Sequence, residues 1–197
     1  ALVINSGTIT IEQSCEGLEG MTVTINDGTI DITSDDDGIN AAGGIEENTK
    51  QDSGKKSENE EENEIWMEMN GGYIHILAGG DGIDSNGDLT INGGEIYIDG
   101  PSDNGNSAID YGDWSDAYVN GGTLVAIGSS GMAEEMSDES TQSLIFAKLN
   151  SQMEAGEVAL SDSDGNVIVS YTSLKSYDCV IISDADLVEG ERYTLMT

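Results

Sequence analysis

Apolar and polar residues alternate in five copies of one short pattern within the first 126 residues of the chain. The copies lie at residues 4–11, 25–32, 69–76, 91–98 and 119–126. Each has two alternating stretches separated by an Asn-x-Gly sequence. Alternation with a period of two residues is typical of half-buried strands. The pattern therefore predicts two β-strands per copy, joined at a tight corner.

The spacing of the copies predicts the fold class. Their Asn residues are Asn5, Asn26, Asn70, Asn92 and Asn120, at spacings of 21, 44, 22 and 28 residues. A repeat of about 22 residues with insertions is typical of a solenoid, whose units bury apolar faces only against their neighbours. Strands and glycine turns in so short a repeat predict an all-β fold, a β-helix with one coil per repeat. We expect the five Asn side chains to stack about 4.8 Å apart and to hydrogen-bond along the solenoid. Both Asn and Gly tolerate positive φ, which we expect at the corners.

The alternation also assigns the interior, because successive strand side chains point to opposite faces. The inward positions are Leu2, Ile4, Ile9, Ile11, Val23, Ile25, Ile30, Ile32, Met67, Met69, Ile74, Ile76, Leu89, Ile91, Ile96, Ile98, Ala117, Val119, Leu124 and Ala126. The outward positions include a ladder of Thr10, Asp31, His75, Tyr97 and Val125. We expect this ladder to be flat and able to accept an extended chain.

The distribution of the repeats divides the chain into segments. Residues 1–142 contain the repeats, followed by a polar connector, and form the predicted β-helix. Residues 45–64 are an acidic insertion that accounts for the doubled spacing and predicts a solvated loop. We therefore place the second coil directly against the third. Residues 143–197 alternate again, with a hairpin turn at 164–166, and predict a C-terminal cap of β-strands packed on or continuing the helix.

The charge balance narrows the possible partners. The chain has 39 acidic and 6 basic residues and a net charge of −33. Phosphate binding requires Lys and Arg, so we expect neither nucleic acid nor an anionic membrane surface as a partner. No run approaches 18 apolar residues, so we expect no membrane insertion. So much like charge opposes compaction, and a divalent cation is the obvious counter-charge where carboxylates converge.

A second element recurs about 12 residues after each Asn of the first four copies. Stacked coils would align Glu16, Asp37, Asp81 and Ser107 in one column and Glu19, Asn40, Asp84 and Asp110 in another. Carboxylates at strand spacing repel unless a cation lies between them, and carboxylate, amide and carbonyl oxygens are the ligands of Ca²⁺. We predict a calcium site with ligands among Asp36, Asp37, Asn40, Asp81, Asp84, Asn86, Asp110 and Asp113. The alternative is a solvated acidic rim with glycine turns.

The cysteines and the single histidine carry less information. Cys15 and Cys179 lie far apart in sequence, and either a disulfide or two free thiols is compatible with their positions. His75 is alone and faces outward on a predicted strand, where we expect an exposed sheet residue. A single histidine and two cysteines far apart in sequence disfavour a zinc site.

Several motifs together resemble one known family. They are residues 79–87 (GGDGIDSNG) followed by 91–94 (INGG), 128–133 (GSSGMA), 140–142 (STQ) and 190–195 (GERYTL). Across nearly the whole chain they look like the bacterial extracellular carbohydrate-binding family whose founding member binds polygalacturonate. The resemblance implies a right-handed parallel β-helix carrying calcium, similar in fold to family 9 pectate lyases. It also implies a secreted or cell-surface protein that binds acidic plant polysaccharide such as polygalacturonate or pectin. Because the chain starts directly in a predicted strand, we expect that any signal peptide has already been removed from it.

Enzyme and binding module are the main alternatives. Cleavage of polygalacturonate by a lyase needs calcium and a base that removes the proton at C5. In lyases of similar fold that base is a Lys or Arg near the calcium. Residues 1–132 contain no Arg, and their only lysines, Lys50, Lys55 and Lys56, lie in the acidic insertion. We therefore expect a non-catalytic binding protein, with a calcium-dependent pectate lyase or a calcium-stabilised adhesive surface repeat as alternatives.

Binding of a polyanion by so acidic a chain requires a mediator. We expect calcium to bridge protein and uronate carboxylates. Aromatic side chains can stack on sugar rings, and the candidates are Tyr73, Tyr97, Tyr111 and Trp114. A neutral glycan such as cellulose could use the outward ladder without calcium.

Overall fold

The computed structural model describes residues 1–43, 65–112 and 114–197. These residues form nineteen strands and no helix, which confirms the all-β prediction. The first fourteen strands are β1 (Leu2–Ile4), β2 (Thr8–Ser14), β3 (Leu18–Gly20), β4 (Thr22–Ile25), β5 (Thr29–Ser34), β6 (Ile39–Ala41), β7 (Trp66–Met69), β8 (Tyr73–Ala78), β9 (Ile83–Ser85), β10 (Asp88–Ile91), β11 (Glu95–Asp99), β12 (Ile109–Tyr111), β13 (Ala117–Val119) and β14 (Thr123–Gly128). The described ranges contain no helix that is long and apolar enough to cross a membrane.

Each strand from β4 to β14 pairs in parallel with the strand three places before it in the chain, so consecutive strands belong to three sheets in turn. Their strand orders are β1-β4-β7-β10-β13, β2-β5-β8-β11-β14 and β3-β6-β9-β12. Ile25 pairs with Ile4 on one side and with Met69 on the other. The second copy of the repeat therefore lies directly against the third, as predicted. The insertion predicted at 45–64 falls outside the described residues.

The three parallel sheets share one apolar core. All the inward positions predicted from the alternation contribute to it, and most are fully buried. Leu2, Ile9 and Ile11, which belong to the first repeat, are only partly buried. Burial follows the period-two pattern because each strand side chain has one fixed face.

The predicted Asn stack lies at the corners where the chain passes from the sheet that begins with β1 to the sheet that begins with β2. Each of the last four Asn residues donates its Nδ2 to Oδ1 of the preceding Asn, at 2.9, 3.0, 2.9 and 3.1 Å from the first pair to the last. The expectation of positive φ at Asn was wrong, because all positive-φ residues in the described ranges are glycines. The glycine two positions after each Asn takes this conformation, as at Gly72 (φ 93°). The Asn side chain can therefore serve the stack while glycine makes the turn.

The C-terminal residues form β15 (Leu144–Met153), β16 (Glu157–Ser161), β17 (Val167–Thr172), β18 (Tyr177–Ser183) and β19 (Thr194–Met196). β18 pairs antiparallel with both β14 and β15. β15 and β18 extend the sheet of β2, β5, β8, β11 and β14 to seven strands. β16 and β17 form the predicted hairpin, with Gly165 at φ 87° in its turn. A second apolar cluster packs these strands against the outer face of β11 and β14. We call residues 143–197 the tail.

Both cysteines are free thiols in the structure. Cys15 is exposed, whereas Cys179 is buried in β18. Burial raises the pKa of the Cys179 thiol to about 11. The alternative of a disulfide between them is therefore wrong.

Candidate functional site

The four-stranded sheet β3-β6-β9-β12 carries the second column of the repeated acidic element. Strand pairing places Asn40 beside Glu19 on one side and beside Asp84 on the other. Asp84 in turn lies beside Asp110. These four side chains thus occupy equivalent positions of successive strands, in the order that the repeat predicts.

The first column is held by hydrogen bonds between successive repeats. The backbone N–H of Asp81 donates to Oδ1 of Asp37 at 2.8 Å. The backbone N–H of Ser107 donates to Oδ1 of Asp81 at 2.5 Å. Asn40 connects the two columns, since its Nδ2 donates to Oδ2 of Asp37 at 3.3 Å. We call these two aligned rows the carboxylate columns.

The glycine after each acid is required by the close approach of successive repeats. A Cβ on Gly38 would collide with the Ile76 side chain and the Gly82 carbonyl oxygen. One on Gly82 would collide with the Ile98 side chain and the Ala108 carbonyl oxygen. Neither glycine has positive φ, so available space rather than conformation requires the missing side chain. This close stacking holds neighbouring carboxylates at strand spacing.

Burial and mutual repulsion raise the pKa of four carboxyls in the columns, those of Glu16, Asp37, Asp81 and Asp84. Burial is the largest cause for Asp81, whose pKa rises to about 7, and the charges of Asp110 and Asp37 add to it. Burial is also the largest cause for Asp84, whose pKa rises to about 6. The pKa values of Asp37 and Glu16 are raised in the same direction, again first by burial. The columns therefore favour a bound positive charge, whether a proton or a metal ion.

Two oxygens of the columns are buried and have no hydrogen-bond partner among the described residues. They are Oε2 of Glu16 and Oδ1 of Asn40, and Oγ of the nearby Ser14 shares this property. An unpaired buried acceptor costs roughly 1–3 kcal/mol. A cation would relieve that cost, and a donor set made of carboxylate and amide oxygens fits Ca²⁺.

Two further predicted metal ligands, Asp36 and Asn86, lie at the margins of the columns. The Asp36 carboxylate is exposed and lies with the Cys15 thiol and the Glu16 carboxylate, all within 4.8 Å of one another. Asn86 is exposed, and its Nδ2 donates to Oδ2 of Asp84 at 3.3 Å. Asp113 falls outside the described residues.

Two of the four predicted sugar-binding aromatics lie together. The ring centroids of Tyr73 and Tyr97 are 5.7 Å apart. Tyr73 is 42% exposed, whereas Tyr97 is half-buried and stacks on Tyr171 of the tail at 5.2 Å. Tyr111 is half-buried, with its hydroxyl donating to a backbone carbonyl at 2.6 Å. Trp114 is almost fully exposed.

The outward ladder is open at one end and covered at the other. Thr10 and Asp31 are exposed, but Val125 is fully buried in the second apolar cluster. The expectation of a continuous flat face was wrong at the Val125 end, because the tail packs there.

A hydrogen-bonded network that sequence reasoning missed joins this face to the tail. Nδ1 of His75 lies 2.9 Å from Oδ1 of Asp31, and its Nε2 lies 3.1 Å from the Tyr171 hydroxyl. That hydroxyl donates to Oδ2 of Asp99 at 2.5 Å. Asp99 is fully buried, and the side chain of His75 is only 21% exposed, contrary to the expectation of an exposed sheet residue. No local pattern indicates this network, because Tyr171 and Asp99 are 72 residues apart and meet only when the tail folds back.

Comparison with known protein families places the chain in one of them. The family model described as carbohydrate-binding domain-containing protein matches residues 1–175. No curated protein and no solved structure matches the chain.

Proposed function

Because the chain belongs to the family of carbohydrate-binding domain-containing proteins, we propose that it binds acidic plant polysaccharide, polygalacturonate or pectin, through Ca²⁺ and without cleaving it. Cellulose is a further candidate ligand. The carboxylate columns are the observation that carries the proposal. They combine half-buried acids of raised pKa with buried oxygens that have no hydrogen-bond partner in the part of the chain that the structure describes.

The columns suggest how the polyanion is held. The residues that would hold calcium are Asp37, Asn40, Asp81 and Asp84, with Asp36, Asn86, Asp110 and Asp113 as further candidates. Bound Ca²⁺ supplies positive charge that both the columns and a uronate carboxylate require. Without it a chain of net charge −33 repels polygalacturonate. The protein residues orient the site through the Asp37–Asp81 and Asp81–Ser107 hydrogen bonds.

The arrangement of the strands supports one type of solenoid. We propose that the three parallel sheets are the faces of one right-handed β-helix formed by residues 1–142, and that residues 143–197 are its cap. The cyclic order of the strands and the shared apolar core support one coil. The strong preference of parallel crossover connections for the right hand supports its handedness. We also propose a secreted or cell-surface location in a bacterium, where plant polysaccharide is accessible.

One observation keeps the lyase as a second candidate. Nζ of Lys175, a residue of the tail, donates to the backbone carbonyl of Ala78 at 2.5 Å. Ala78 lies three residues before Asp81. Burial is the main cause that lowers the pKa of Lys175. A lysine of lowered pKa is a chemically reasonable base. Lys175 belongs to the tail, whereas the prediction of no base concerned residues 1–132.

The absence of cleavage is directly measurable. We expect no increase in ultraviolet absorbance from unsaturated uronate when the protein is mixed with polygalacturonate and calcium at alkaline pH. The reason is that Lys175 is already hydrogen-bonded to a backbone carbonyl. Steady turnover that disappears in Lys175→Met but persists in Lys148→Met, the matched loss of a lysine elsewhere in the tail, would establish the lyase instead.

Binding should depend on the middle of the columns. We expect Asp84→Ala to weaken oligogalacturonate binding in calcium by about tenfold or more, the size expected for losing one charged partner. The β-sheet circular dichroism signal should persist, because the apolar core is untouched. Asp138→Ala removes the same charge from an exposed position and should have little effect. Equal affinities of the two variants in calorimetry would exclude the columns as the binding site.

A further inference from the structure

The tail covers only part of the outer face of the seven-stranded sheet, and the edge of the covered part forms a step. Along one row of that face Asp31 is exposed, His75 is half-buried and Val125 is fully buried. Tyr171 stands at the boundary, with its ring centroid 6.4 Å from that of His75. We call this step the ledge, and it consists of Thr10, Thr29, Asp31, Tyr73, His75 and Tyr171.

A chain of hydrogen bonds holds the polar part of the ledge. Nδ1 of His75 lies 2.9 Å from Oδ1 of Asp31, and Nε2 of His75 lies 3.1 Å from the Tyr171 hydroxyl. That hydroxyl donates to Oδ2 of the fully buried Asp99. Asp31 is therefore oriented through Oδ1 by an imidazole that is itself fixed to the tail.

The exposed parts of the ledge lie on paired strands, where Asp31 is the diagonal neighbour of Tyr73. The Asp31 side chain is 55% exposed, and its Oδ2 makes no hydrogen bond among the described residues. On the adjacent row, Tyr73 is 42% exposed and its ring is supported by Tyr97, with the two centroids 5.7 Å apart; Tyr97 itself stacks on Tyr171. A supported aromatic ring beside an oriented carboxylate provides an apolar surface and a placed polar group, the two components of a small-ligand site. Both are fixed before any ligand arrives, which lowers the entropy lost on binding.

We propose that the ledge is a second sugar-binding site, independent of calcium, that takes a pyranose of a neutral glycan. One face of the sugar ring packs on Tyr73, and a ring hydroxyl donates to Oδ2 of Asp31. The exposed Thr10 and Thr29 offer further hydroxyls along the floor. A uronate is disfavoured, because its carboxylate would lie near Asp31 and near Glu95, the strand neighbour of Tyr73. This inference rests on the carbohydrate binding proposed above, but not on the calcium site.

Calorimetry in EDTA with cellohexaose and mannohexaose as neutral probes tests the ledge. We expect the wild type to bind at least one of them. Tyr73→Ala and Asp31→Asn should each weaken that binding by about tenfold, the effect of losing a charge-assisted hydrogen bond or a central aromatic contact. Tyr118→Ala is the matched control, because it removes an aromatic residue from an outward position of β13 in another sheet, and should leave the affinity unchanged. Tyr73→Phe, which keeps the ring, should also bind normally.

The outcomes separate this inference from the calcium proposal. No binding of either neutral probe in EDTA, or equal affinity of the wild type, Tyr73→Ala and Asp31→Asn, overturns the ledge. Oligogalacturonate titrated in calcium forms a second arm. Its loss in Asp84→Ala with retention in Tyr73→Ala supports two separate sites. Its loss in Tyr73→Ala, without an effect on the neutral probes, overturns the assignment of the ledge to neutral sugar. Should Tyr73→Ala not fold in thermal melts, the exposed Asp31→Asn change decides alone.

Discussion

Asp81 and Asp84 are half-buried and lie beside other carboxylates, an arrangement that costs free energy in the absence of a counter-charge. Each is kept there by the repeat: Asp81 accepts the Ser107 N–H, and Asp84 pairs in register between Asn40 and Asp110. At the scale of residues, the molecule therefore retains a local destabilisation at one sheet. Such retention is a common mark of a functional site.

This destabilisation predicts an unusual pH dependence without metal. The folded pKa values of Asp81 (about 7) and Asp84 (about 6) exceed the ordinary aspartate value of 3.8, so the folded state keeps protons that the unfolded chain has already lost. Stability must then fall as pH rises through these folded values. We expect the melting temperature in EDTA to be lower at pH 8 than at pH 5. Asp81→Asn, which cannot titrate, should reduce the difference.

Calcium supplies the control for this measurement. Excess Ca²⁺ at pH 8 should restore stability, by about 2.7 kcal/mol per site at 100-fold above Kd. A melting temperature that rises between pH 5 and pH 8 in EDTA, or does not respond to calcium, would contradict this account of the columns.

At the scale of elements, the strand pattern was the most predictable part. Ile30 and Ile32 are fully buried with the exposed Asp31 between them, because strand burial depends only on local alternation. The Asn stack and the carboxylate columns followed from the same repeat. β15 was not predicted as a strand, because its side chains are mostly half-buried or exposed, without a clear two-residue period. The His75–Tyr171–Asp99 network could not be predicted either, because it depends on where the tail folds back.

Close stacking of the repeats predicts the effect of adding a single methyl group. Gly82→Ala should destabilise the fold by about 1–3 kcal/mol, the usual cost of overpacking, because its Cβ would collide with Ile98 and with a backbone carbonyl. Gly156→Ala is the control, since its Cβ would meet only one atom, at 3.9 Å, and the backbone is unstrained there. Denaturant unfolding of both variants measures the difference. Similar stabilities would mean that the repeats are not held as closely as described.

At the scale of the whole molecule, the net charge of −33 and the proposed anionic ligand have the same sign. Long-range electrostatics therefore opposes the encounter, and only a local reversal of charge can overcome it. The carboxylate columns are the place where a divalent cation gives that reversal. The ledge requires no such reversal, because a neutral sugar carries no charge to be repelled.

The most direct measurement of the central claim is calorimetric titration of oligogalacturonate into the wild-type protein, once in calcium and once in EDTA at the same ionic strength. Matched ionic strength is essential, because salt alone screens the repulsion between two anions. The bridging account predicts binding in calcium and none in EDTA, with binding restored when calcium is added back. Equal affinity in the two conditions would contradict calcium bridging and would assign the polyanion to another surface.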